Sequence, residues 1–287
     1  MTPSNTSPFD VAPQRPLWLS IPIFVVMLPL SLLCLSVVIL LCLLLLPTYK
    51  QTTPKRRDRR AAWITYWMLA TVRFRIRVTD HNASSAVHSR LYVASHVSMM
   101  ESIMLFNVVG HLRTIAAEFT RDHPVIGVLA RITDSIFVPP RRQGGPSVVD
   151  RMRESLDTTD ERLSIFPEGT FSNATALLKF KTGAFVLGKP VTPIVFKYTA
   201  YVPFWNRNES SFATQLFRLM ARVSTPVEVI VLPTWHPTAI EQEDPRQYAE
   251  NVRRLMAQHL ELPLSEKGKL DSPNVKRDQR PAPQAAS

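Results

Sequence analysis

The heptapeptide Ser95-His96-Val97-Ser98-Met99-Met100-Glu101 decides how the rest of the chain is read. Ahead of it, the apolar run Leu91-Tyr92-Val93-Ala94 reads as a buried strand, and behind it Ile103, Met104, Leu105, Val108 and Val109 mark one side of a helix. His96 and Glu101 therefore belong to a strand-to-helix junction. Inside one helix, positions five apart at about 100° per residue would point about 140° from each other. Imidazole and carboxylate can meet only if His96 lies before the first turn. Ser98 as N-cap would start the helix at Met99 and make Glu101 its third residue. The same Ser98-x-x-Glu101 is also a capping box, in which the glutamate reaches back to a backbone N–H and does nothing chemical. The heptapeptide alone admits both readings.

Working outward, Phe74-Arg-Ile-Arg-Val78 alternates as a half-exposed strand does. Further strands are expected at Thr114–Ala117, Ser135–Val138, Leu163–Phe166, Thr192–Tyr198 and Val227–Leu232, with helical stretches between several of them. This order implies an α/β domain with a mixed, largely parallel sheet flanked by helices. Ligands bind such sheets where strands end. Both His96 and the stretch Phe166-Pro167-Glu168-Gly169-Thr170 fall just past candidate strands. Gly169 would let backbone approach a ligand, and N–H groups with the Thr170 hydroxyl could meet phosphate or alcohol oxygens. A plain Pro-x-Gly turn is the competing reading. Arg141, Arg142, Lys179 and Lys181 lie near these strand ends, although solvated surface charge is the default for each alone. Phe212, Leu216, Phe217, Leu219 and Met220 form an apolar helical stripe. Asp244-Pro245 opens a last helix with Tyr248, Val252, Leu255 and Met256 inward.

The chain of 287 residues holds one domain of about 200 residues with appendages. Its two cysteines, Cys34 and Cys42, lie in an apolar run, which excludes a disulfide framework and a thiolate metal site. No metal is expected. No charge occurs between Arg15 and Lys50, and Leu17 to Leu46 is dominated by Leu, Val, Ile and Phe. This reads as a membrane segment, not a signal peptide, because the run is long and the basic cluster follows it. It is either one tilted helix or a re-entrant helical hairpin broken at Pro22 and Pro29. Lys50, Lys55, Arg56, Arg57, Arg59 and Arg60 follow directly, so the rest of the chain should face the cytosol. These residues also supply much of the net charge of +11, which reads as contact with anionic headgroups. Nucleic-acid binding is not expected, since no such motif accompanies the charge. Trp63, Tyr66 and Trp67 mark an interfacial helix over Ala61–Val72. The expected layout is a tail over 1–16, a membrane segment over 17–49, a basic collar over 50–60, a catalytic domain over 61–265 and a disordered tail over 266–287.

Taken in order, Ser95-His96-x4-Glu101, Phe166-Pro-Glu-Gly-Thr170 and Val191-Thr-Pro-Ile-Val195 resemble three sequence blocks of the glycerolipid acyltransferases of the His-x4-Asp type. Phe166 to Asn173, Phe180 to Phe185, Pro190 to Tyr198 and Asp244 to Arg254 resemble the lysophosphatidylcholine and lysophosphatidylethanolamine acyltransferase branch. The resemblance spans roughly Ala61 to Glu266. It implies a membrane-bound enzyme of the endoplasmic reticulum that moves a fatty acyl group from acyl-CoA, as co-substrate with no bound cofactor, to the free hydroxyl of a lysophospholipid. His96 would be the general base and Glu101 its partner. Glu168 would meet the acceptor's hydroxyl or glycerol region, and Gly169, Thr170, Lys181 and Arg141 would hold phosphate. Two departures stand out: Glu101 replaces the family's usual aspartate, and Arg141 is displaced by one position from the family's arginine. Lysophosphatidic acid as acceptor, giving phosphatidic acid, is the alternative. A membrane lipid-binding protein with a decayed dyad is a more distant one. A serine hydrolase is disfavoured, because no Gly-x-Ser-x-Gly occurs among the eight glycines.

Overall fold

The computed structural model describes residues 7–8, 17–45, 47–48, 51–82, 89–118, 121, 127, 130, 135–138, 147–199 and 212–271. Seven strands form one sheet: β1 (Phe74–Asp80), β2 (Leu91–Ala94), β3 (Arg113–Ala117), β4 (Ile136–Val138), β5 (Leu163–Ile165), β6 (Thr192–Tyr198) and β7 (Thr225–Val231). Their order is β1-β7-β6-β2-β5-β3-β4, and every pairing is parallel except β6 with β7. The sheet is the mixed, largely parallel one that the alternating pattern implied.

Strand β2 is buried along its whole length because both faces are covered. Tyr92 and Ala94 face a layer containing Met104, Leu105, Phe106 and Phe196, while Leu91 and Val93 face Met152, Leu156, Phe185, Tyr248 and Met256. The first layer is supplied by α2 (Pro54–Thr71), α3 (Met100–Val109) and α5 (Phe212–Met220). The second comes from α4 (Val148–Thr158), a 3₁₀ segment over Thr182–Leu187, and α7 (Pro245–Leu260), which the short α6 (Ala239–Glu243) precedes. Asp244 caps α7 as its sequence suggests, accepting from the N–H groups of Arg246 and Gln247.

The apolar segment forms one continuous helix, α1 (Leu17–Leu45), with Pro22 and Pro29 inside it. It is long and apolar enough to cross a membrane. At about 1.5 Å per residue its length exceeds a hydrocarbon core of about 30 Å. Of the two expected forms, the structure has the single helix, with no break at either proline. This helix is clamped to the domain. Phe24 packs on Phe217 at 4.6 Å between ring centroids, and the buried Arg73 guanidinium donates to Met27 O and Ser31 Oγ, both at 2.7 Å, and to Met220 O at 2.6 Å.

Two expected boundaries shift. Residues 54–60 of the basic collar are the first turns of α2, so the division placed at residue 61 cuts a helix that begins with Pro54. Arg57 bonds Glu161 at 3.0 Å and Arg60 bonds Thr48 Oγ1 at 2.8 Å, so these two cations serve the fold as well as any lipid. At the other end, residues 266–271 of the expected disordered tail are docked. Lys179 N donates to Lys267 O at 2.9 Å, Leu177 bridges Leu264, and the fully buried Arg253 donates to Leu177 O and Ser265 O. Edge-like backbone pairing, invisible in a polar composition, holds this segment.

Candidate active site

Strands β6, β2 and β5 are neighbours and mutually parallel, so their C-terminal ends open on one rim of the sheet. Three side chains converge there: Tyr198 from the end of β6, His96 just past β2, and Glu168 just past β5. Helix α3 starts at Met100, one residue later than expected. Met99 caps it in the αR conformation, while Ser98 Oγ accepts from Met100 N at 3.3 Å. His96 accordingly lies before the first turn, as contact with Glu101 requires.

That contact is made. His96 Nδ1 stands 2.9 Å from Glu101 Oε2. The same carboxylate accepts the Val97 N–H at 3.0 and 2.9 Å and the Tyr198 hydroxyl at 3.0 Å. The expected capping box does not form, because Met99 caps α3 without a side-chain hydrogen bond; Glu101 instead braces the Val97 N–H ahead of the helix and grips the imidazole. The longer side chain still reaches. His96 is stacked on Phe166 at 3.9 Å and flanked by Phe171 at 4.3 Å. Its Nε2 makes no hydrogen bond to the described residues, so the ring offers one nitrogen outward with the other tethered.

Burial disfavours charge on both members of the pair. It drives the imidazole pKa down to about 3, keeping the ring neutral. It pushes the Glu101 carboxyl up to about 8, against the pull of the Val97 and Ser98 N–H groups and the Tyr198 hydroxyl. Every other hydrogen-bond partner of the carboxylate among the described residues is a donor. The ionised form with Nδ1–H donating is thus the one in which all these bonds are satisfied, leaving an unprotonated Nε2 outward.

Glu168 is tied to the backbone of the site. It is 1% exposed, and its oxygens accept the His96 N–H at 2.7 Å and the Leu178 N–H at 3.1 Å. Two backbone amides engage it, so it joins the loop after β2 to the loop after β5. Burial pushes its pKa up to about 8 as well. Gly169 adopts φ +66°, and a Cβ there would fall 2.8 Å from Lys181 Cε and Nζ. Lys181 therefore lies over Gly169, which brings two expected residues together. The Gly169 N–H closes a turn onto Phe166 O at 3.0 Å. Thr170 is buried beside them. Arg141 and Arg142 lie outside the described residues. Lys179 pairs with Glu266 at 2.6 Å, away from this cluster's centre. Among the described residues no group of His, Cys, Asp and Glu could hold a metal ion.

Sequence reasoning missed Tyr198, Phe166 and Phe171 as site components. A signal existed for the tyrosine: Ile194, Phe196 and Tyr198 share one strand face, and that face looks toward α3.

A family model described as Acyltransferase matches residues 75–197, the segment that carries His96, Glu101 and Glu168. The chain is 34% identical over 205 residues to a human lysophospholipid acyltransferase, LPCAT4, and 34% identical over 190 residues to an Arabidopsis thaliana lysophospholipid acyltransferase, LPEAT1. These alignments cover 67% and 62% of the chain. Residues 75–197 therefore make up a domain of the acyltransferase family. A Drosophila melanogaster lysophosphatidylcholine acyltransferase is 36% identical over 183 residues, 61% of this chain. The matched regions amount to 37%, 46% and 34% of those three relatives' own lengths. In fold the chain is similar to the 1-acyl-sn-glycerophosphate acyltransferase PlsC of Thermotoga maritima. The TM-score is 0.52 at 18% identity, covering 88% of this chain and 98% of that one.

Proposed function

We propose that the protein transfers a fatty acyl group from acyl-CoA to the free hydroxyl of a lysophospholipid. The observation that carries this reading is the neutral His96, tethered through Nδ1 to Glu101 and presenting Nε2 outward at the sheet rim. His96 takes the hydroxyl proton as the acceptor oxygen attacks the thioester carbonyl. Glu101 stabilises the imidazolium that forms and fixes its orientation. The C–S bond breaks, the acyl group remains on the acceptor oxygen, and the imidazolium returns its proton to the departing thiolate. A thioester is already activated, so no covalent enzyme intermediate is needed. Lys181, over Gly169, and Arg141 are assigned to substrate phosphates. An intact 2.9 Å dyad speaks against a decayed lipid-binding protein.

The same reading puts the protein at the endoplasmic-reticulum membrane with the site on the cytosolic side. The residues ahead of α1 and its C-terminal end both meet one domain. Asn173 donates to Pro8 O at 2.9 Å and to Ser7 O at 3.0 Å, while Arg60 holds Leu45 O and Thr48 at the far end. A bilayer between those ends would forbid the first contact, so α1 enters the membrane from the cytosolic side without crossing it. Its exposed Val26 and Leu43, with the half-exposed Trp63 and Tyr66 of α2, supply the lipid-facing surface.

Detergent-solubilised protein given acyl-CoA and a panel of lysolipids should release CoA in step with diacyl phospholipid. Release of fatty acid alone would mean a hydrolase, and neither product would reject catalysis. Preference for lysophosphatidic acid over lysophosphatidylcholine and lysophosphatidylethanolamine would replace the acceptor assigned here. A tag ahead of Asn5 should be cut by protease added to sealed microsomes; its protection would overturn the topology.

A further inference from the structure

We propose that Tyr198 is a positioning residue for the His96–Glu101 pair. Its hydroxyl fixes the rotation of the carboxylate so that Oε2 meets the imidazole, and it holds that carboxylate in its accepting, ionised form. The inference rests on the reading of His96 as general base.

The geometry starts from the sheet. β6 lies beside β2 in parallel register, with Ala94 opposite Ile194. The pairing continues past the end of β2, because Ser95 N donates to Ile194 O at 3.1 Å and Phe196 N donates to Ser95 Oγ at 3.0 Å. Tyr198 is therefore delivered by a strand that is stitched to the loop carrying His96. Glu101 arrives separately, from the first turn of α3. A glutamate has a broad terminal torsion, so the helix alone would leave the carboxylate free to turn away from the ring. Oε1 receives Tyr198 at 3.0 Å, which leaves Oε2 directed at Nδ1 at 2.9 Å. A three-point hold results, from backbone, helix partner strand and imidazole.

The electrostatics give the hydroxyl a second task. The titratable groups around Glu101 are His96 from the β2 loop, Glu168 from the β5 loop and Tyr198 from β6. Glu168 has like charge, and among the described residues no lysine or arginine forms an ion pair with Glu101. Ionisation of Glu101 is opposed by burial and favoured by the hydrogen bonds it accepts. Burial raises the phenol's own pKa well above 10, so Tyr198 remains a donor across the working pH range. Removing that donor should push the carboxyl's pKa further up and delay formation of the base-competent pair.

The test compares pH profiles of kcat/KM for wild type, Tyr198→Phe and a 3-fluorotyrosine replacement at 198. Tyr198→Phe should lower kcat by about 10-fold with KM nearly unchanged, and move the acidic limb upward by about 0.5–1 pH unit. The fluorinated phenol is a stronger donor of nearly the same shape and should move the limb downward. Opposite shifts support positioning and charge control. A uniform loss with superimposable profiles, or a limb that stays put in both variants, overturns it. If Tyr198→Phe fails to fold, the fluorotyrosine profile decides alone. His96→Ala separates the two levels: an active His96→Ala enzyme removes the base itself, whereas an inactive one beside unmoved Tyr198 profiles removes only the proposal.

Discussion

Glu161 and Glu168 stand at opposite ends of β5, and their environments push them in opposite directions. Glu161, before the strand, has His111 Nε2 at 3.7 Å, Arg57 Nη1 at 3.0 Å and Arg113 Nε at 3.7 Å, and its pKa falls to about 2. Glu168, after the strand, accepts only backbone amides in a dry setting beside Glu101, and its pKa rises to about 8. At one end the fold supplies cations and spends the carboxylate on holding α2 to the sheet. At the other, burial outweighs the pull of Arg253 and the backbone amides on Glu168, leaving Glu101 and Glu168 close to their proton-exchange range. Linkage then has opposite signs at the two ends. The raised groups hold protons that the unfolded chain has lost, so they weaken the fold as pH rises from the ordinary carboxylate range to about 8. The depressed group supports the fold above the ordinary range and ceases to as pH falls toward about 2.

The sharpest way to break this contrast is at the rim. His96→Ala should lower turnover by at least about 100-fold while membrane association and melting temperature hold. Near-normal turnover would remove His96 from the mechanism and leave both ends of β5 structural. Glu101→Gln comes next. The amide cannot be an acceptor at both oxygens, so one of Val97, Tyr198 and His96 faces an NH₂ group, and the ring loses its countercharge. Turnover should drop by about 10–1,000-fold with a smaller change in stability, and the acidic limb of kcat/KM, expected to rise toward about pH 8 in wild type, should disappear. A Gln variant that is active but melts early would reduce Glu101 to a brace for the backbone alone.

Much of this was legible in the residues. Strand β6 lies where it was expected, at Thr192–Tyr198, and β2 lies on the apolar run Leu91–Ala94. The His96–Glu101 contact followed from helix geometry, since only a pre-helical histidine could be reached. What was not legible depends on long-range pairing. Nothing local shows that Glu168 will be taken by the amides of His96 and Leu178, residues 72 and 10 positions away. The docking of 266–271 rests on backbone bonds that its largely charged composition, Glu-Lys-Gly-Lys-Leu-Asp, does not announce. The structural task of Arg57 was not legible because its partner Glu161 lies 104 residues later.

The smallest effect tests the quiet end of the strand. Glu161→Gln removes the charge that Arg57, His111 and Arg113 share, while the amide oxygen keeps one hydrogen bond to Arg57 within reach. Partly exposed ion pairs are worth about 0–1 kcal/mol each, so the variant should lose about 1–2 kcal/mol near neutral pH. Turnover per folded molecule should be unchanged, because the substitution lies across the sheet from the rim. Acid should then erase the difference. Wild type loses the Glu161 contribution as the carboxylate is protonated on the way down to about pH 2, whereas the Gln variant has no such proton to take up. Melting curves for the two proteins should therefore be furthest apart near pH 6–7 and converge as pH falls below the ordinary carboxylate range of about 4. A gap that is constant with pH would mean that Glu161 acts by shape rather than charge. A loss of turnover at full stability would mean that the two ends of β5 are coupled, and that the contrast between them is not a division of labour.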